Sequence, residues 1–375
     1  MRIFHLQAAG VTELQDLPQQ PPAQGFVWIS CTRATLQARL ADVQRTLQAL
    51  TGQQLVDLHV SDLLNAQLPS RYDYTSQYDL LVFRRLAAAQ ATAPEAPAAP
   101  ASPAVRRSGP PVLRHIDTSP VGFALFDQVL LSVHPGDCTV RDAYAARLLA
   151  AMPTDLREGR LSPSPGARIP ASPSDLMLRV VNLIVDGFLD LRRELSRQLD
   201  HWQTELLRPR TRFSNWSALL DARLALHELD DVCEDQRAAI QDWIDALETW
   251  PAPEGAAALR ELDLLKVRSR DVLEHIERVV HHVRRLEQST ETVVQMHFSV
   301  QSNRTNDIMR TLTVLTAVFL PLNLIAGIFG MNFEFIPLVH KQDGFWWAMA
   351  SMALIAVGLT AFFWNKRYMA RTAKD

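Results

Sequence analysis

The stretch TLTVLTAVFLPLNLIAGIFGMNF, Thr311–Phe333, contains no Asp, Glu, Lys or Arg, and GFWWAMASMALIAVGLTAFFWN, Gly344–Asn365, repeats that property after a short polar loop. A helix rises about 1.5 Å per residue and the hydrocarbon core is about 30 Å thick, so roughly 20 apolar residues suffice to cross it. Both stretches therefore predict spanning helices, joined by the loop Glu334–Asp343. The reading is an integral membrane protein anchored by a C-terminal helical hairpin. Two spans have no interior from which lipid is excluded, so a polar pathway requires several copies of the chain, which a cyclic homo-oligomer supplies.

About 310 of the 375 residues precede the first span, enough for a large extramembrane domain with a real core. The first ten residues lack the basic start and apolar run of a signal peptide, which places this bulk in the cytosol. Arg304 and Arg310 precede the first span and Lys366, Arg367, Arg371 and Lys374 follow the second, whereas the loop has Lys341 alone against two acids. By the positive-inside rule both termini are cytoplasmic and the loop faces out. Cys31, Cys138 and Cys233 have no paired spacing, which fits buried reduced thiols. A formal net charge of −3 gives no reason to expect nucleic acid as a partner.

Strand patterns fall at Phe26–Ser30, Tyr78–Arg84, Val112–Asp117, Phe123–Phe126 and Gln128–Val133, with helical spacing over Thr35–Leu50 and Tyr144–Met152. This mixture predicts an α/β cytosolic domain, residues 1–255, a mixed sheet with flanking helices. Residues 87–111, rich in Ala and Pro, have a composition unable to bury a core and read as a disordered loop interrupting one sheet. Residues 153–173 form a second Pro/Ser-rich loop, after which Ser174 or Asp175 can cap a helix running to about Leu207. Acid-rich helical periodicity covers Ser217–Leu247. After the Trp250–Pro253 break no helix stopper occurs from Ala256 to Pro321, and Pro321 is tolerable within a membrane helix. A continuous helix from Ala256 to Gly330 would be roughly 110 Å long. It divides into a stalk, 256–310, and the first span, 311–333; residues 344–365 are the second span and 366–375 a basic cytosolic tail.

Heptad steps along the first span give Asn306, Thr313, Leu320 and Gly327, with the companion series Met309, Thr316, Asn323 and Gly330. One stripe is thus polar or small at nearly every step, and Leu312, Leu315, Val318, Phe319, Leu322, Ile325 and Phe329 lie off it. Small residues in a span also permit close helix packing. Asn306 and Asn323 favour a hydrated pore lining instead, in which Met309 and Leu320 form apolar rings able to gate by dewetting.

The run Ser302–Met309, the segments Leu312–Leu315 and Phe319–Leu322, and the signature Gly330-Met331-Asn332 within Ile325–Phe333 together resemble the CorA family of divalent metal ion transporters. The likeness is densest over Arg270–Asn332 and weaker at Phe26–Ile29 and His59–Asn65. It implies a homopentameric funnel whose first spans line the pore. It implies, too, that Asn332 with Gly330 and Met331 makes the outer ring that receives a hydrated cation. Mg²⁺ dehydrates reluctantly, and amide oxygens accept hydrogen bonds from its waters. Glu334 and Asp343 offer outer-loop cation attraction; the acidic residue that often follows the family's loop proline is replaced here, since Leu338 follows Pro337. The resemblance implies closure by cytosolic Mg²⁺ bound between subunits, with Asp271 and Glu274 as sensor ligands.

The implied function is passive, potential-driven uptake of Mg²⁺, with Co²⁺ or Ni²⁺ also admitted, across the cell inner membrane. An alternative is the ZntB-type branch, a zinc transporter with proton coupling; His275, His281, His282, His297 and His340 supply imidazoles of the kind zinc favours. A membrane-tethered scaffold is a third reading, and the acidic set Glu228, Asp230, Asp231, Glu234 and Asp235 reads as a solvated helix face. No Walker loop, Gly-x-Ser-x-Gly elbow or His-Glu-x-x-His helix occurs, so the sequence does not read as an enzyme.

Overall fold

A computed structural model of the chain describes residues 1–8, 10–87, 116–150, 169–207, 216–251, 253–331 and 342–365. The body of the Ala/Pro-rich loop, most of the second Pro-rich loop, the outer loop from Asn332 to Lys341 and the basic tail therefore lie outside the described residues. The chain divides into two compact units, Met1–Glu205 with Arg212–Glu291, and Leu206–Thr211 with Thr292–Asp375.

The first unit is built on seven strands: β1 (Arg2–Gln7), β2 (Gly10–Leu14), β3 (Phe26–Thr32), β4 (Arg71–Tyr74), β5 (Asp79–Leu86), β6 (Thr118–Leu125) and β7 (Val129–His134). They form one sheet in the order β2-β1-β3-β7-β6-β5-β4. Only β3 and β7 pair in parallel, Trp28 opposite Leu130 and Thr32 opposite His134; the other neighbours are antiparallel. The sheet is therefore mixed, as expected. Because β5 and β6 pair directly, the chain between them leaves and re-enters one sheet.

Both faces are covered, which explains why the central strands read as unbroken apolar runs. One face carries Phe4, Trp28, Leu130, Phe123, Leu81 and Phe83, the other Ile3, Val27, Ile29, Leu131, Ala124 and Leu80, following the two-residue period of a strand. The second face packs against α1 (Arg33–Ala38), α2 (Leu40–Thr51) and α3 (Asp57–Leu64) through Leu36, Val43, Leu47, Val60 and Leu63. The first face packs against α4 (Thr139–Ala150), α5 (Pro173–Leu207), α6 (Trp216–Thr249) and the first part of α7 (Ala256–Phe329), through residues such as Leu148, Val181, Phe188, Trp243, Ile276 and Val283.

Several local readings shift. Thr35–Leu50 is two helices, broken at Arg39, whose backbone (φ −119°, ψ 24°) leaves the helical region. The break turns α2 so that Val43, Leu47 and Leu50 all face the sheet, a tertiary preference no periodicity within α1 encodes. Strand β6 starts at Thr118; Ile116 and Asp117 are not in a strand and 112–115 lie outside the described residues. Ser172, not Ser174 or Asp175, caps α5: its hydroxyl accepts the Asp175 N–H at 3.2 Å, with Pro173 in the first turn, where a missing N–H costs nothing. The hairpin of β1 and β2 was not anticipated. It lies at the sheet edge, too short to show a clear alternation.

Helix α7 runs unbroken for 74 residues through Pro321, and α8 (Gln342–Asn365) follows in the second unit. Both contain segments long and apolar enough to cross a membrane, and those segments are mostly exposed in the single chain. At one end of α8 stand Trp346 and Trp347 and at the other Trp364, all exposed. Eighteen residues of helix separate Trp346 from Trp364, about 27 Å, so aromatic side chains flank a stretch close to one hydrocarbon thickness.

Candidate functional site

The first span is a helix whose two sides differ. Val314 is buried, and Val318, Pro321, Leu322, Ile325 and Phe329 are half-buried, so one side of α7 is occupied within the second unit. Asn306, Met309, Thr313, Thr316, Leu320, Asn323, Gly327 and Gly330 are all exposed and lie along the other side. Of the residues expected off the stripe, Leu312, Leu315 and Phe319 are exposed too. Near the start of the span, Asn303, Asn306, Asp307, Met309, Arg310, Thr313 and Val314 line a concavity of about 730 Å³ together with Phe363 of α8.

The threonines show what such a surface can recognise. Thr313 donates its hydroxyl hydrogen to the Met309 carbonyl at 2.8 Å, and Thr316 to the Leu312 carbonyl at 2.8 Å. With each O–H spent on the helix, the oxygen presents only lone pairs outward. Waters bound to a cation point their hydrogens away from it, so they need acceptors. The uncharged threonine oxygens thus suit the waters of a hydrated cation better than they suit an anion.

The end of α7 is tightened at a glycine. The Gly330 N–H donates to the carbonyls of Ala326 (2.9 Å) and Gly327 (3.2 Å), and Met331 N–H to Ile328 at 3.3 Å, a tightened last turn. A Cβ on Gly330 would lie 3.1 Å from the Ala326 oxygen, whereas one on Gly327 would meet nothing. Met331 is exposed. Asn332 and Glu334 lie outside the described residues, and Asp343, at the start of α8, is exposed.

The two expected sensor residues occupy different situations on α7. Asp271 is 58% exposed, with His275 one turn on, its Nε2 3.8 Å from Asp271 Oδ1. Glu274 is held by Arg278 at 2.7 Å. Among the described residues no group of three or more His, Cys, Asp or Glu comes together as a metal centre. One chain therefore presents Asp271 as a single outward carboxylate, and any ion held there must take further ligands from elsewhere.

The acidic face of α6 carries its own cations. Arg284 of α7 reaches Asp230 at 3.2 Å and also pairs with Glu234, which Arg237 contacts at 2.8 Å. Burial raises the Glu234 carboxyl, but Arg237 and Arg284 outweigh it and hold the group below its usual range. Asp230 and Glu234 thus have arginine partners within the chain. His282 is likewise engaged, its Nε2 2.6 Å from Ser196 Oγ on α5, and Cys31, Cys138 and Cys233 are buried free thiols. His340 lies outside the described residues.

The family model described as "CorA-like Mg2+ transporter protein" matches residues 23–367. Over 201 residues the chain is 26% identical to the cobalt/magnesium transport protein CorA of Thermotoga maritima, 52% of either chain. Over 99 residues it is 32% identical to the magnesium transport protein CorA of Haemophilus influenzae, 26% of this chain and 31% of that one. The chain thus spans about half, or less, of the length of the curated relatives it matches. The solved CorA magnesium transporter from Methanocaldococcus jannaschii superposes with a TM-score of 0.67 at 16% identity, covering 97% of both chains, a likeness of fold. With a family match over most of its length, a mixed α/β domain and a long helix leading into one of two apolar segments, this chain is a membrane protein that belongs to the CorA-like Mg²⁺ transporter family.

Proposed function

We propose that the chain is a subunit of a homopentameric, passive channel for hydrated divalent cations, with Mg²⁺ as its main cargo and Co²⁺ or Ni²⁺ also admitted. The observation that carries this reading is the exposed stripe from Asn306 to Gly330, whose threonine hydroxyls have spent their hydrogens on the helix and offer only acceptors outward. Around a five-fold axis the stripe lines the path, Met309 and Leu320 narrow it, and Asn332 with Gly330 and Met331 receives the hydrated ion at the outer mouth. Asp343 and Glu334 draw cations to that mouth. An inside-negative potential contributes roughly 4.6 kcal/mol per 100 mV to a divalent ion, enough for uptake without ATP.

Cytosolic Mg²⁺ regulates the channel by bridging Asp271 to a neighbouring subunit. Oxygen ligands suit Mg²⁺, and loss of the ion leaves like charge at the interface, which favours the open arrangement. Glu274 has a smaller part, since Arg278 already holds it. The orientation is with both termini in the cytoplasm, in the cell inner membrane.

The test is flux into liposomes reconstituted with the full-length protein, followed with internal Mg²⁺ and Zn²⁺ dyes, with and without an imposed potential. Potential-driven Mg²⁺ entry, abolished by Asn332→Ala, is the expected result. Zn²⁺ entry without Mg²⁺ entry, tied to a proton gradient, would instead assign the chain to zinc transport; flux of neither ion would leave a membrane-tethered scaffold.

A further inference from the structure

The parallel pair β3–β7 creates a feature the transport reading leaves unused. Helix α1, after β3, packs on one face of the sheet, and α4, after β7, on the other. Adjacent parallel strands whose following helices diverge to opposite faces open a crevice outside their carboxyl ends, the place where open α/β sheets hold ligands. Here the crevice is bounded by Thr32 and Arg33 after β3, by His134 to Thr139 after β7, and by the facing ends of β6 and β5, where Ser119 lies opposite Arg85.

Among the described residues, eight buried side-chain polar atoms have no hydrogen-bond partner, and four of them belong to residues at this end of the sheet: Arg33 Nε, Arg85 Nε, Ser119 Oγ and His134 Nδ1. His134 is fully buried and Arg85 is 2% exposed. Buried polar groups are ordinarily satisfied, and each that is not costs stability. An isolated orphan needs no ligand, but four at one end of a sheet, of which the two arginine atoms can only donate, call for an acceptor.

The charge points the same way. Arg33 donates to the Pro120 carbonyl. Arg85 is paired with Asp137 and also donates to the Leu86 carbonyl, yet keeps Nε free. Arg141 leans on Asp142 at 2.9 Å. Three guanidiniums thus gather around His134 against two carboxylates. Burial first, and then Arg141, Arg85 and Arg33, push the His134 imidazole down to about 3, so it is neutral and contributes no further cation. Its Nε2 is engaged with Ser132 Oγ at 2.9 Å, which itself accepts from Trp28 Nε1 at 2.8 Å. With Ser132 giving its hydrogen to Nε2, Nδ1 carries the ring proton and is a donor without a partner. The backbone is also held there in an unusual state: Cys138, buried at the turn into α4, has φ +43°, and strain of that kind collects at ligand-holding turns.

We propose that the crevice at the carboxyl ends of β3 and β7 binds a small oxyanion of the phosphate class, held by Arg33 and Arg85 with Ser119 and His134 completing its shell. The planar fork of a guanidinium matches a tetrahedral oxyanion better than it does a spherical halide. Bound there, the anion would tie α1 to α4 across the sheet and stiffen the cytosolic domain.

The experiment uses the full-length protein in a maltoside detergent, which carries no phosphate of its own. Thermal unfolding is followed with inorganic phosphate, and with chloride at matched ionic strength. Phosphate is expected to raise the Tm by roughly 2–4 °C in a saturable way when tenfold above its dissociation constant, with chloride giving no comparable rise. Arg33→Gln, at a half-exposed position outside the core, should weaken phosphate by about tenfold or more while the unliganded Tm stays within a few degrees. Titration of the wild-type protein by isothermal calorimetry supplies a readout independent of folding. Equal shifts from phosphate and chloride, or a phosphate effect unchanged in Arg33→Gln with no calorimetric binding, would overturn the proposal.

Discussion

Glu274 and Arg278, one turn apart on α7, are joined at 2.7 Å, whereas Asp271 on the same helix stands exposed with its nearest partner, His275, at 3.8 Å. The two carboxylates that sequence placed together are therefore unequal. If Asp271 is the sensor, Asp271→Asn should raise the internal Mg²⁺ needed to halve flux by tenfold or more, the loss of one charged ligand. Glu274→Gln should move it less than about threefold. Measuring flux against internal Mg²⁺ in liposomes separates them, and equal effects would refute the assignment.

The acceptor stripe makes a second, chemically specific claim. Thr313→Val and Thr316→Val keep shape and remove the outward oxygen, while the helix loses only a redundant bond to a carbonyl already paired. Flux of Mg²⁺ should fall severalfold in each, and more in the double variant, with oligomer size by light scattering unchanged. Thr311→Val removes a hydroxyl bonded the same way, to Asp307, but off the stripe, and should leave flux near wild type.

The buried imidazole gives a pH dependence whose sign can be stated. His134 is held neutral in the folded chain, down to about 3, by burial and by Arg141, Arg85 and Arg33, with Asp142 opposing. The unfolded chain binds a proton near 6.5, so it alone takes up protons as pH falls below that value. Stability contributed by neutral His134 is thus complete above about 6.5 and is lost toward 3, at up to about 1.4 kcal/mol per pH unit. In phosphate-free buffer, unfolding curves at pH 7 and pH 5 should differ by that slope more in wild type than in His134→Gln; identical slopes would contradict the placement.

Gly25 precedes β3 with φ +79°, and a Cβ there would sit 1.9 Å from the Leu6 carbonyl oxygen. Neither the conformation nor the space admits a side chain. Gly25→Ala should cost about 2 kcal/mol or more and loosen the pairing of β1 with β3. Gly52, also at positive φ but facing open space, should tolerate Asn with a much smaller loss in the same unfolding assay.

The parts of this chain most legible in its sequence were those fixed by one-dimensional chemistry. The absence of charge over Thr311–Phe333 marked an apolar stretch long enough to cross a membrane, and the lack of a stopper after Ala256 marked the 74-residue helix. Both-face burial made β3 and β7 plain as apolar runs. The Arg39 break was not legible, because it serves the packing of α2 on a sheet completed by strands nearly a hundred residues later. The Ser172 cap hid behind two equally good capping residues. Of the expected site, the stripe's common side was readable from heptad spacing, but the Glu274–Arg278 pairing depends on rotamers. The crevice of orphaned donors was invisible, since Arg33, Arg85, Ser119 and His134 meet only through strand order.

The parallel pairing of β3 with β7 also sets a timetable. Strand β3 cannot gain its central neighbour until His134 has been synthesised, so the sheet closes late relative to its own N-terminus. The first span begins 177 residues after that point. At 5–20 residues per second, roughly 10–35 s of translation separate the two events. The strands can thus pair in water before any apolar segment reaches the membrane, while the helical layer over them, which ends with Leu286, is completed only just ahead of insertion.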